Sequence, residues 1–170
     1  MKNIELTAMN GICYPTLDEE VLIKMEQAGF RRLNLSYVTK SIQLRDNLNR
    51  PKSISDDQNR FEKIIKNAQQ IGFFVTVYVI IGLLNQTYHE VKKSINYLLD
   101  LGVLVGPSVF YLPPGSKMIE KMKIKPEIIN NWNFYRSSAF AVETENLSRE
   151  QLFELFCYTR EMNLKKKTDR

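Results

Sequence analysis

Two cysteines, Cys13 and Cys157, and a single histidine, His89, make up the thiol and imidazole chemistry of this chain. They stand apart in sequence, so no zinc-type ligand spacing arises, and one histidine supports neither a Cys/His nor a Ser/His pair. His89 falls in what reads as the first turn of a helix, an ordinary surface position. Cys13 follows a strand end, where α/β proteins place functional groups, but an isolated thiol there is more often packing, so a buried Cys13 is expected. Glu90 is explained equally well by helix capping. What remains are polar side chains at strand ends: Asn10, Ser36, Asn85, Gln86, Ser108 and Tyr111. They suit hydrogen bonding to a polar small molecule and supply no evident acid, base or nucleophile. No catalytic residue and no metal ligand is assigned, and any hard chemistry has to come from a cofactor.

The elements that must carry these residues alternate. Ile4 to Met9 is a short apolar run closed by Asn10-Gly11, a turn signal. Thr16 and Glu19 have capping-box spacing before an apolar helical face of Val21, Leu22, Met25 and Ala28, and Gly29 sits at the C-cap. Leu33 to Val38 reads as the second strand. A long polar connection, Thr39 to Asp57, follows, with a helical turn expected near Ile42 to Leu48. Ser55 and Gln58 repeat the capping box before Phe61, Ile64, Ile65 and Ala68, and Gly72 ends that helix. Phe74 to Ile81 is nearly all apolar and β-branched, which suits a strand buried on both faces of a parallel sheet. Thr87 and Glu90 then cap a helix with Val91, Ile95, Leu98 and Leu99 on one face. Val103 to Tyr111 supplies a fourth strand, which Gly106-Pro107 is expected to break. Strand–helix alternation of this kind calls for parallel strands with right-handed crossovers, and ligands bind at the carboxyl ends of such strands. The segment Val75 to Val103, with its turn from Gly82 to Glu90, is therefore where function should be sought.

After Ser116 the alternation stops. Met118 to Met122 has a helical pattern, Trp132 to Ala141 is aromatic and mixed, and Ser148 with Gln151 caps a last helix bearing Leu152, Leu155, Phe156 and Thr159. Residues 1–116 are thus expected to form a portion of a barrel and 117–170 a helical extension. Totals set the outer bounds. The chain has 170 residues, 44% hydrophobic and 25% charged, enough for one domain with a core. Its net charge of +5 includes Lys165, Lys166, Lys167 and Arg170 at the end, a solvated tail rather than a nucleic-acid arm, since no aromatic residues interleave with the basic ones. No apolar run reaches the roughly 20 residues of a membrane span, and no signal-peptide pattern opens the chain, so a cytoplasmic location is expected.

Gly82-Leu-Leu-Asn-Gln-Thr-Tyr-His-Glu90 resembles the Gly-Leu-Pro-Gly-Gln-Thr-x-Glu-Glu segment of radical S-adenosylmethionine enzymes. Asn10-Gly11-Ile12, Ala28-Gly29-Phe30, Leu33 to Ser36 and Gly106-Pro-Ser-Val-Phe-Tyr-x-Pro-Pro-Gly115 are similar to that family in the same order. Arg136-Ser-Ser-Ala-Phe and Tyr158-Thr-Arg160 resemble the tail of members with an upstream cobalamin-binding domain. The resemblance implies an α/β fold, a partial TIM-type barrel of about four parallel strands, here barrel strands three to six, plus the C-terminal helical extension. It also implies S-adenosylmethionine as cosubstrate, with Asn10 and Ser36 towards its methionine or ribose part. Ile80, Gly82, Asn85 and Gln86 would lie towards the adenine. Leu84 stands where the family has Pro, Asn85 where it has Gly, and His89 where the first Glu is common.

The family's cluster motif, C-x-x-x-C-x-x-C, does not occur in this sequence. The resemblance therefore implies that [4Fe–4S] ligation, and any cobalamin, belong to the complete enzyme and not to this chain. The expected partners are an N-terminal half of the barrel, in the same product or a split one, and a small-molecule substrate. Two other classes stay open at this level. One is a non-catalytic α/β binding module or remnant. The other is an unrelated barrel enzyme using Glu5, Glu143 or Tyr111 in acid–base work.

Overall fold

A computed structural model describes residues 6–8, 11–37, 54–116 and 124–168, with the side chains of 54–56 and 166–168 not described. Expectations resting on Glu5, Asn10, residues 42–48 and residues 118–122 lie outside the described residues. In chain order the elements are β1 (Leu6–Thr7), α1 (Glu19–Gln27), β2 (Phe30–Tyr37), α2 (Ile54–Ile71), β3 (Phe74–Ile81), α3 (Tyr88–Asp100), β4 (Leu104–Val109), α4 (Pro126–Ile129) and α5 (Arg149–Thr168). The four strands are parallel and lie in the order β1-β2-β3-β4. A doubly wound sheet reverses its strand order at a switch point, whereas here every strand is laid beside its predecessor. That is the winding of a partial TIM-type barrel, as expected.

Helix starts show what local chemistry decides. Before α1 the cap is Asp18, whose Oδ1 accepts from the Val21 N–H at 2.8 Å, and not the expected Thr16. Pro15 places Tyr14–Thr16 in a 3-10 turn, so the Thr16 hydroxyl donates back to the Cys13 carbonyl at 2.8 Å and the helix starts later. The helical face is narrower than the spacing suggests, since Leu22 is buried while Val21 and Ala28 are exposed. Ser55 falls inside α2, which begins by Ile54, and so is not its cap. The end of α2 is as expected: Gly72 has φ +106°, and the Phe73 N–H donates to the Ala68 carbonyl at 2.9 Å, closing the helix.

β3 corrects an expectation. Val75, Val77, Val79 and Ile81 are at most 6% exposed, but Phe74, Tyr78 and Ile80 on its other face are 63%, 40% and 39% exposed. In a sequential winding right-handed crossovers place their connecting helices on one side of the sheet, which leaves the other face of a strand such as β3 open. The early reach of β2, from Phe30 rather than Leu33, and its pairing of Leu33 with Val75 and Leu35 with Val77 continue that buried layer. β4 also differs, running through Gly106 and Pro107 without interruption. The Phe110 N–H donates to the Ile81 carbonyl at 2.8 Å, and alternate residues direct their N–H to opposite sides. Pro107 therefore faces away from β3, where its missing donor removes nothing from the β3–β4 ladder.

Two compact units divide the chain, one of residues 1–79 and 96–106, the other of residues 80–95 and 107–170. In the first, Tyr37 packs on Phe61 (ring centroids 4.9 Å apart) and Tyr97 (5.9 Å), and Leu22, Leu33, Leu35, Ile65 and Val77 are buried. The second is centred on Ile81, Ile95, Leu112, Leu147, Leu152 and Leu155, each at most 2% exposed.

Candidate functional site

The turn after β3 is built inside the second unit. Gly82 has φ +95°, and a Cβ on it would come within 3.2 Å of Leu152 Cδ2 and 3.6 Å of Phe110 Cβ. The positive φ favours glycine there, and a Cβ would in addition press on the Leu152 side chain. The Gln86 N–H donates to the Leu83 carbonyl at 3.1 Å, closing a four-residue turn with Leu84 and Asn85 at its centre. Asn85 has φ +67°, whereas Leu84 does not have positive φ. A negative then a positive φ is the type II pattern, which takes Pro readily at the first central position and Gly or Asn at the second. The family's Pro-Gly and this chain's Leu84-Asn85 are thus two sequences for one turn.

Gln86 holds the turn in place. It is 2% exposed; its Oε1 accepts from the Gly82 N–H at 2.8 Å and the Leu83 N–H at 2.9 Å, and its Nε2 donates to the Ile80 carbonyl at 3.1 Å. Three backbone groups that strand geometry leaves over are satisfied by one amide. Directly after it, the Thr87 N–H and hydroxyl both donate to Glu90 Oε2 at 3.0 Å, and the Glu90 N–H donates back to Thr87 Oγ1 at 3.3 Å. The expected capping box is therefore formed, and Glu90 is committed to it. Farther along α3, the Tyr88 hydroxyl donates to Glu154 Oε1 at 2.6 Å, which raises its pKa, and Lys92 Nζ lies 4.9 Å from the Tyr158 ring centre. No sequence signal pointed to that cluster, because its members are 66 residues apart.

Of the residues assigned from sequence, the turn gathers Ile80, Gly82, Asn85 and Gln86. Ile80 is an exposed apolar side chain at the strand end, Asn85 an exposed amide at the tip, Gly82 the hinge and Gln86 the internal tie. Ser36 belongs to the other unit, exposed near the carboxyl end of β2 and in register with Tyr78. Asn10 is outside the described residues. His89 is exposed, as expected, but so is Cys13, against expectation: the 3-10 turn beginning at Tyr14 keeps it at the surface.

The turn fits part of an adenosyl ligand. Ile80 offers apolar surface, Asn85 offers amide donors and an acceptor, and the Leu84 and Asn85 N–H groups at the tip have no partner among the described residues. An iron–sulfur cluster does not fit this chain. Its two cysteines cannot provide three thiolates, and no group of three or more His, Cys, Asp or Glu side chains able to hold a metal occurs among the described residues. Nor is any helix among the described residues long and apolar enough to cross a membrane.

No protein-family model and no curated protein matches the sequence. The fold does have solved counterparts, and they are radical S-adenosylmethionine enzymes. Coproporphyrinogen III oxidase (HemN) from Escherichia coli superposes with a TM-score of 0.61 over 92% of this chain at 14% identity. The radical S-adenosylmethionine methyltransferase TsrM from Kitasatospora setae, solved with cobalamin and a [4Fe–4S] cluster bound, superposes with a TM-score of 0.53 over 84% of it at 15% identity. The chain spans 31% of the first protein and 29% of the second. At these identities the likeness is one of fold.

Proposed function

We propose that this chain contributes the adenosyl-side wall of a cosubstrate site in a radical S-adenosylmethionine enzyme, with the [4Fe–4S] half supplied by another segment or chain. The observation that carries this reading is the Gly82–Gln86 turn. It has the backbone shape for which the family's Gly-Leu-Pro-Gly-Gln segment is suited, although two of the five residues differ. Bound S-adenosylmethionine would bring the 5′-deoxyadenosyl group to this wall. Ile80 excludes water from one side of the purine, and Asn85 with the tip N–H groups hydrogen-bonds its polar edge. Gln86 keeps the turn from relaxing while the site is empty, and Ser36 and Asn10 are assigned to the ribose and methionine part. The partner is the cluster-bearing half of the barrel, the substrate is a small molecule, and cobalamin belongs to the complete enzyme. The compartment is the cytoplasm.

The scarcity of cysteines favours one second reading, a binding module that holds an adenosyl ligand without any reaction. Equilibrium dialysis of the purified chain with labelled S-adenosylmethionine and S-adenosylhomocysteine tests the shared premise. Saturable binding of both is expected, weakened about tenfold or more by Gln86→Ala, about 1.4 kcal/mol. A folded chain that binds neither overturns the reading. Adding a cluster-bearing half then separates the two versions, because only the enzyme fragment restores reductive cleavage of the cosubstrate.

A further inference from the structure

The outward side of α5 carries a pattern that neither the core nor the adenosyl reading uses. The helix lies wholly in the second unit and buries Leu152, Leu155 and Thr159. On its far side Glu150, Phe153, Cys157, Arg160 and Leu164 fall three and four residues apart in alternation, the spacing of a coiled-coil seam. All five are exposed, Phe153 by 58% and Leu164 by 63%. Phe153 is held in place there, because its ring meets Phe140 (centroids 5.7 Å apart), which also meets Phe156 (5.5 Å). Phe140 takes φ +49°, a left-handed angle that a residue other than glycine keeps only where its surroundings fix it.

Two features say what covers this stripe. Its alternation reads the same from either end, and Lys167 continues it by spacing in the sequence. A second α5 laid antiparallel therefore brings Phe153 opposite the partner's Leu164, Cys157 opposite the partner's Arg160, and Glu150 opposite the partner's last turn. The charges agree. Glu150 and Glu154 stand in the first turns of the helix, and the sequence places Lys165, Lys166 and Lys167 in the last. Antiparallel copies face acid with base, whereas parallel copies face like with like. The flanking carboxylates Glu154 and Glu161 are already answered, by the Tyr88 hydroxyl and by Lys165 Nζ at 2.7 Å. Phe153 to Leu164 spans only about 17 Å of helix, so a reversible pair is the form to expect.

We propose that the exposed stripe of α5 is a dimerisation surface, on which a second copy of this chain packs its own α5 antiparallel, Phe153 of each copy against Leu164 of the other. The pairing is independent of whether the Gly82–Gln86 turn binds an adenosyl group.

Sedimentation equilibrium of the full chain tests it, together with cross-linking by a short bismaleimide. A monomer–dimer equilibrium in the micromolar range is expected, weakened by added salt because acid faces base. The reagent should join two copies through Cys157, so that Cys157→Ser abolishes the cross-link and Cys13→Ser leaves it. Phe153→Glu and Leu164→Glu should each weaken the dimer about tenfold or more, since each change enters the contact twice. Phe74→Glu and Trp132→Ser alter other exposed aromatic surfaces and should leave the dimer within about twofold. A chain that stays monomeric overturns the proposal, and protection of the stripe only on adding a cluster-bearing half would assign it to that half instead. A dimer strengthened by salt, joined through Cys13, or lost in Phe74→Glu and kept in Phe153→Glu overturns it too. The salt response and the cross-link on the unaltered chain decide the matter even if a variant does not fold.

Discussion

Asn85 does with a side chain what the turn would otherwise ask of glycine. Its φ of +67° is accessible to asparagine at modest cost and to β-branched residues only with strain. Asn85→Gly should leave stability within about 0.5 kcal/mol, while Asn85→Val should cost about 1–2 kcal/mol, read from urea denaturation midpoints. Gln86 is a sharper case, because one buried amide answers three backbone groups. Gln86→Leu keeps much of the bulk and orphans two N–H groups and a carbonyl, so a loss of about 2–4 kcal/mol is expected by the same measurement. A loss below about 0.5 kcal/mol would mean that water reaches the turn. Both effects were half legible in the sequence. The family-like spacing marked the turn, but nothing in it said that Gln86 points inward while Asn85 points out.

Among the elements, α3 is tied at both ends. At its start, Thr87→Ala removes the hydroxyl that accepts from the Glu90 N–H, and a cost of about 1 kcal/mol is expected in thermal unfolding, with Thr87→Ser nearly neutral. Near its end, the Tyr97 hydroxyl donates to Glu62 Oε1 on α2 at 2.8 Å. Burial first, then that hydrogen bond to Glu62, raises the Tyr97 pKa well above the usual phenol range. The unfolded chain therefore releases this proton near pH ~10 while the folded chain keeps it, so the unfolded state binds fewer protons above that point. Stability from Tyr97 is fully present below pH ~10 and falls as pH rises further. Urea midpoints between pH ~8 and ~11 should show that decline in the parent chain and a shallower one in Tyr97→Phe. Capping boxes were the most readable local signal, right at Thr87 and at Ser148, where the Ser148 N–H donates to Gln151 Oε1 at 3.0 Å. They failed at Thr16 because Pro15 began a tighter turn first, and at Ser55 because α2 starts before it.

For the whole molecule, the sequential winding decides what is covered and what is open. Phe74 and Tyr78 are exposed on the face of β3 opposite its buried valines, a surface that a complete barrel would turn inward. The solved counterparts are about three times the length of this chain. Anaerobic addition of iron and sulfide to this chain alone should accordingly leave no protein-bound cluster absorbance after desalting. A stable cluster there would require ligands that two cysteines do not provide.

Alternation of apolar runs with capped, glycine-ended helices determined the class of fold, because periodicity and helix stops are local and survive without knowledge of neighbours. Residue counting alone ruled out three thiolate ligands. Tertiary structure decided the rest: that the apolar run Phe74 to Ile81 has only one buried face, that Pro107 can sit within β4 because its missing N–H would point outward, that Cys13 is at the surface, and that Gly106 of β4 lies directly against the Tyr78 ring. Each depends on which residues lie across a strand ladder or beneath a side chain, and sequence spacing carries no record of that.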